Sequence, residues 1–232
     1  MNNYGVFSRN QLKYIAALAM LTDHFGYLFL SVETPLGFLC RLIGRLTCPI
    51  MCYFLAQGFA YTSSRKKYAL RLLAFAILSQ PIFSVLKSGT FFSTSLNMLF
   101  TLLVSFLILW CYEDIPHSIW KWVPILALLF VARYCDWGTL APISVLAFYL
   151  FRKKKWMQMT AFACIAAVYA ARRILPAFKP YLLIHLGLFA AIGLLLLYNG
   201  KRGSGQAFHK WFFYVFYPLH ILVLLLIRIY LF

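Results

Sequence analysis

Several ionisable residues stand inside long apolar runs of this chain, where each such group is expensive to hold. Asp23 and His24 lie about two thirds of the way along the run from 12 to 30. Arg41 and Arg45 interrupt the run from 36 to 61 and, four residues apart, share a helix face. Asn97 and Asp136 each open a further apolar stretch. His220 sits near the middle of the last one, three residues after Tyr217 and so on its face, and Pro218 between them loosens the helix and frees a backbone carbonyl. Acids, histidines and arginines in such places serve proton or ion relays, acid–base chemistry, or ion pairs that hold helices together. His24, Asp23, Arg41, Arg45, Asn97, Asp136, Tyr217 and His220 are therefore the residues expected to carry the chemistry. His117, His185 and His209 read as interfacial or loop residues.

Lys13 and His24 are eleven residues apart, close to three helical turns, which puts them on one stripe roughly 16 Å apart. A cation near one end of a span and a histidine deeper on the same stripe suit a single tunnel. Cys48 and Cys52 also share a face, but two thiols with no histidine or further cysteine nearby do not predict a metal centre. No GxSxG, HExxH, phosphate-binding GKS/T loop or GxGxxG occurs.

The elements that must position these groups follow from composition. The chain has 232 residues, 63% apolar and 12% charged. An ordinary soluble domain has about a quarter of its residues charged. Aromatic residues at 19% exclude a disordered chain, and continuous rather than alternating apolar runs exclude a β-barrel. The expected fold is all-α, one polytopic membrane bundle over 1–232. Spans are expected at 12–30, within 36–61, and at 68–86, 96–113, 119–134, 137–151, 156–175, 181–198 and 211–231, about nine in all. Asp23 and His24, with no small-residue cleavage site behind them, make the first run a span and not a signal peptide.

The formal charge is +17, from 22 Lys and Arg against 5 Asp and Glu. Most of that excess fits cytoplasmic loops facing anionic lipid, and the rest suits a polyanionic ligand; no basic stripe suited to nucleic acid is present. The richer set of connections holds Arg9 and Lys13, Arg65 to Lys67, Lys121, Arg152 to Lys155, and Lys201, Arg202 and Lys210. Placing that set in the cytoplasm gives an inside N-terminus and an outside C-terminus. The segment with Arg172, Arg173 and Lys179 then falls outside, against the trend.

Motifs along nearly the whole chain are shared with one family. They are LKYIAALAMLTDHFG at 12–26, RLIGRLTCPIMCYFLAQGF at 41–59, YTSSRKKYALRLL at 61–73, LNMLFTLL at 96–103, DWG at 136–138, LLLLYNGKRG at 194–203 and FYVFYPLHILVLLLI at 213–227. In this order and spacing the chain resembles the TraX family of polytopic membrane proteins, named for a protein that acetylates the N-terminus of F-pilin. Over about the first 75 residues it also resembles, more distantly, the type 3 membrane acyltransferases. Those carry a basic residue eleven positions before the presumed catalytic histidine of the first span. Lys13 and His24 would be that pair, with lysine where the larger family prefers arginine.

The resemblance implies an acyltransferase that moves acetyl from acetyl-CoA to an amine or hydroxyl, on a pilin-like peptide or an envelope glycan. His24 would be the general base, with Asp23 tuning it or pairing with Arg41, and His220 in reserve. Arg41 or Arg45, Asn97 and Tyr217 would donate to the oxyanion. Lys13, Arg65, Lys66, Lys67, Lys201 and Arg202 would meet the cofactor phosphates, and Asn199, Gly200 and Gly203 would supply turn backbone able to approach them. The donor would enter from inside and the acceptor from outside. A proton-coupled transporter or flippase, and a non-catalytic pilin assembly factor, are the two other classes consistent with these residues.

Overall fold

The computed structural model describes residues 5–116, 119–176 and 178–231; His117 lies outside them. Among these residues the secondary structure is helical, apart from two isolated backbone bridges. The helices are α1 (Arg9–Phe29), α2 (Pro35–Gly44), α3 (Thr47–Tyr61), α4 (Arg65–Ser88) and α5 (Met98–Asp114). Then follow α6 (Trp122–Ala132), α7 (Leu140–Leu150), α8 (Lys155–Ile174), α9 (Gly187–Leu196) and α10 (Ala207–Leu231). Single 3₁₀ segments, Ile119–Lys121 and Pro180–Leu186, lead into α6 and α9.

Helix boundaries follow local chemistry. Ser8 caps α1 through the Gln11 amide, and the Gln11 side chain returns to the Ser8 N–H at 2.8 Å, so two otherwise unpaired donors satisfy each other's residues. Thr34 caps α2, with Pro35 in its first turn where no N–H is needed. The apolar run from 36 to 61, expected to hold an interfacial turn and a span, divides at Arg45 and Leu46. Their N–H groups bond back only three residues, to Leu42 and Ile43. Pro49 has no N–H to offer the Arg45 carbonyl, so the chain restarts as α3 instead of continuing α2. Gly89, at φ 71°, ends α4.

Three helical segments are long and apolar enough to cross a membrane: Pro35–Tyr61, Arg65–Ser88 and Trp211–Tyr230. α1 and α8 have comparable length, 21 and 20 residues, with more polar content. Of the nine expected spans, the pair at 119–134 and 137–151 becomes α6 and α7, of 11 residues each. Each rises about 16 Å, roughly half the hydrocarbon thickness. The chain thus has the character of a helical membrane protein, with three segments of full spanning length and composition among the described residues.

The chain divides into two compact units. One takes residues 1–51 and 166–232, the other residues 52–165. In the first, α1 packs against α2 and α10, while α2 meets the Pro180–Leu186 segment and α9. Thr47 Oγ1 donates to the Ala16 carbonyl at 3.1 Å and fixes the start of α3 on α1. In the second, α5 is central, packed on α4, α6 and α7, with Phe106, Leu109 and Val104 buried in its faces.

Candidate functional site

The stripe of α1 that carries Lys13 and His24 faces α10. Lys13 Nζ lies 4.1 Å from the centre of the Phe213 ring. Seven residues on, the same helix presents His220, whose Nε2 is 2.7 Å from His24 Nδ1. The two imidazole planes are 11° apart with centroids 5.0 Å apart, so the short contact joins ring edge to ring edge. His24 and His220 are 9% and 5% exposed.

The proton arrangement of this pair follows from its third member. His220 Nδ1 is 2.7 Å from the Phe216 carbonyl oxygen, which accepts only. His220 Nδ1 is therefore the donor. In the neutral ring its Nε2 is then an acceptor, and the proton between the rings belongs to His24 Nδ1. The basic lone pair of neutral His24 is thereby assigned to Nε2. A carbonyl orients one histidine, which orients the next. Pro218, inside α10, offers no N–H to the Tyr214 carbonyl one turn before it. Phe216 also stacks on His220, with centroids 4.7 Å apart, and buried Tyr217 meets its edge at 5.9 Å.

Asp23 points elsewhere. Its carboxylate is 2.9 Å from Arg41 Nη1, with side chains 14% and 17% exposed, and the same nitrogen donates to the Asp23 carbonyl at 3.3 Å. Gly44 allows this approach, since a Cβ there would collide with the Asp23 carboxylate. Adjacent residues on one helix thus serve two partners, His24 on α10 and Asp23 on α2. Arg45, at the end of α2, lies beside Gly187 at the start of α9.

The start of α1 is tied to the 197–205 loop. Phe7 N donates to the Leu197 carbonyl at 3.0 Å, Asn199 N to Phe7 at 2.9 Å, Arg9 N to Lys201 at 2.9 Å, and Asn10 Nδ2 to Ser204 at 2.8 Å. Asn199 Oδ1 accepts from Lys201 N at 2.9 Å. Gly200 and Gly203 have φ of 77° and 82°, values that side-chain-bearing residues adopt at a cost. Lys201 and Arg202 are exposed on this loop, beside the N-terminal end of the helix that carries Lys13. Sequence-distant contacts also place Tyr14 Oη 2.7 Å from His209 Nδ1. A column of rings, Phe208, Phe212, Phe216 and His220, runs along α10 from that end toward His24.

The remaining expected site residues belong to the other unit. Arg65, Lys66 and Lys67 form the first turn of α4, where the helix end is itself positive. Arg65 pairs with Asp114 and lies over Phe59, and Lys66 and Lys67 are exposed. Asn97 caps α5: its Oδ1 accepts from the Leu99 and Phe100 amides, and its Nδ2 donates to the Ala76 carbonyl and Gln80 Oε1 at 2.8 and 3.0 Å. These bonds join α4 to α5 and occupy both hydrogens of the amide. Asp136 pairs with Lys87 at 3.2 Å, and its N–H donates to the Leu96 carbonyl at 2.8 Å.

Two features lay beyond the sequence pattern. The His24–His220 bond links residues 196 apart. His185, read from its position as interfacial, is 7% exposed and packs edge-on against Tyr169; its place inside an apolar run was the available signal.

The family model described as TraX protein matches residues 8–228. A relative described as "Probable fimbrial assembly protein FimC, serogroup H1", from Dichelobacter nodosus, is 36% identical over 234 residues, covering 94% of each chain. No solved structure matches the chain.

Proposed function

The chain belongs to the TraX family, and on that footing we propose that it is a membrane acyltransferase using acetyl-CoA, with His24 as general base. The observation that carries this reading is the buried relay from the Phe216 carbonyl through His220 to His24, set eleven residues beyond Lys13 on one face of α1. His24 Nε2 takes the proton of an acceptor amine or hydroxyl as that atom attacks the thioester carbonyl. The new C–N or C–O bond forms, the C–S bond breaks, and the proton passes from His24 to the departing CoA sulfur. When His24 becomes imidazolium, its Nδ1–H bond to His220 becomes charge-assisted and strengthens as the barrier is climbed. Tyr217, whose ring meets the edge of His220, is assigned as a donor to the oxyanion.

The cofactor phosphates are assigned to Lys201, Arg202 and the turn at Asn199 and Gly200, with Lys13 deeper along the route. Arg65, Lys66 and Lys67 form a second basic group of the same kind. With these clusters in the cytoplasm, the donor enters from inside and the acceptor from outside. The acceptor class is an amine or hydroxyl of a pilin-like peptide or an envelope glycan. Purified protein in detergent tests this by acetyl-CoA binding and slow CoA release. Wild type and His24→Ala should both bind, and only wild type should release CoA. Wild-type rates in His24→Ala would remove the base from this site.

A second reading has its own support: the Dichelobacter relative's name describes assembly, not catalysis. A non-catalytic assembly factor would bind no acetyl-CoA and would tolerate loss of His24. The same assay separates the two.

A further inference from the structure

Toward the other end of α1 from the 197–205 loop, α2, α8 and the Pro180–Leu186 segment gather cations with few acids. Arg41 and Arg45 are one turn apart at the end of α2. Arg45 packs against Gly187, where an added Cβ would come within 3.2 Å of the arginine's own. Two residues earlier stands His185, whose ring meets Tyr169 edge-on with centroids 5.5 Å apart. The Arg173 guanidinium lies 5.4 Å from the centre of that same Tyr169 ring.

The acids of residues 1–51 and 166–232 are Asp23 and Glu33. Glu33 is exposed in the connection from α1 to α2, and Asp23 is bonded to Arg41. The three arginines of the cluster thus outnumber its one carboxylate, Asp23, which Arg41 holds. A separate observation points into this cluster: His185 Nδ1 is buried and has no hydrogen-bond partner among the described residues. A buried ring nitrogen without a partner carries its whole desolvation cost, so native folds rarely keep one unless something fills the place. Anionic cytoplasmic lipid does not account for these cations either. The Arg172–Lys179 connection is the one that the loop-charge bias leaves on the outer side.

We infer that Arg41, Arg45, Arg173 and His185 form a binding site for an oxyanion, a phosphate or carboxylate group. Guanidinium forks bind such groups through paired N–H donors, and His185 Nδ1 supplies one more. Arg41 links this site to Asp23, the residue before His24. An acidic group held here would present the rest of its molecule to the histidine pair. Resting on the acyltransfer reading, this makes the acceptor an acidic molecule whose nucleophile and anion are recognised together.

Inorganic phosphate is the probe, titrated at constant ionic strength against chloride while thermal unfolding is followed in neutral detergent, without acetyl-CoA or acceptor. Wild type should gain a saturable rise in Tm. Arg173→Gln, at an exposed position, should weaken the apparent phosphate Kd about tenfold, the loss expected for one charge-assisted contact. His185→Asn should weaken it similarly, and Arg173→Gln keeps the test alive if the buried variant does not fold. Repeating the titration in nanodiscs of phosphatidylcholine alone, and with phosphatidylglycerol, names the source of the anion. Loss of the phosphate response only with phosphatidylglycerol assigns the site to a lipid headgroup. A response kept in both assigns it to a soluble or acceptor-borne anion. A folded wild type with no phosphate response, or variants that respond as wild type does, overturns the site. CoA release is measured separately, so failure here leaves the acyltransferase reading standing.

Discussion

Replacing His220 separates a relay from simple packing. His220 accepts the His24 Nδ1 proton at 2.7 Å and is itself held by the Phe216 carbonyl at 2.7 Å. His220→Phe keeps a ring between Phe216 and Tyr217 but removes the acceptor. His24 Nδ1–H then loses its buried partner, with a stability cost of about 1–3 kcal/mol. The same bond is present in the ground state, so turnover falls only by what the bond gains when His24 becomes imidazolium, about 1–1.5 kcal/mol. That corresponds to a loss of roughly 5- to 13-fold in turnover. It is smaller than the about 10⁴-fold seen when a catalytic carboxylate is replaced, because a neutral ring anchored on a carbonyl stabilises the cation less than a full negative charge does. His220→Gln retains an acceptor oxygen and should recover most of the rate. The assay is CoA release from acetyl-CoA at saturating acceptor or water, with unfolding followed in parallel. Wild-type turnover in a folded His220→Phe protein, or a His220→Gln loss as deep as that of His24→Ala, would refute the relay.

Breaking the Asp23–Arg41 pair from one side, by Asp23→Asn or Arg41→Gln, should destabilise the protein by up to about 3 kcal/mol, the lower end for a buried pair; the double variant should recover part of this, read by thermal unfolding in a double-mutant cycle. Asn97→Ala should cost about 2–4 kcal/mol, from a lost helix cap and two stranded acceptors on α4, while the folded fraction keeps wild-type turnover. Lys201→Gln combined with Arg202→Gln should raise KM for acetyl-CoA about tenfold or more with kcat unchanged, because binding to remote phosphates is equal in ground and transition states; an equal fall in kcat would move these residues to the reacting centre.

What the sequence made legible was whatever depends on near neighbours. The eleven-residue spacing of Lys13 and His24 put both on one face of α1, because helical geometry alone fixes that relation. The apolar runs located the helices, since each must bury or shed its polar backbone locally. Long-range pairing was not legible. Nothing near His24 marks His220 as its partner, because the bond depends on how α1 and α10 pack. The same holds for Tyr14 with His209. Asn97, expected to donate to an oxyanion, caps α5 and spends its amide on α4. An asparagine before an apolar helix has that cap role by ordinary preference, and the bond to Gln80 strengthens it. His185, expected as an interfacial or loop residue, lies instead in a 3₁₀ segment that holds it buried, a placement set by how that segment packs on α2.

The arrangement around Asp23 bears on how acid–base chemistry is possible in an apolar interior. A carboxylate directly on a histidine would leave a charge at the site in its resting state, and desolvating that charge is costly. Here Asp23 is adjacent in sequence but turned to Arg41, so the helix carries its acid as one half of an ion pair. The histidine pair rests on a backbone carbonyl, a neutral acceptor that was buried already. In the proposed reaction, charge then appears on His24 only while the proton is in transit, and it is spread through two rings toward the Phe216 oxygen. The site gives up some of the stabilisation that a carboxylate would offer and avoids a standing charge. On this argument, placing an aspartate at 220 should lower stability more than it helps turnover.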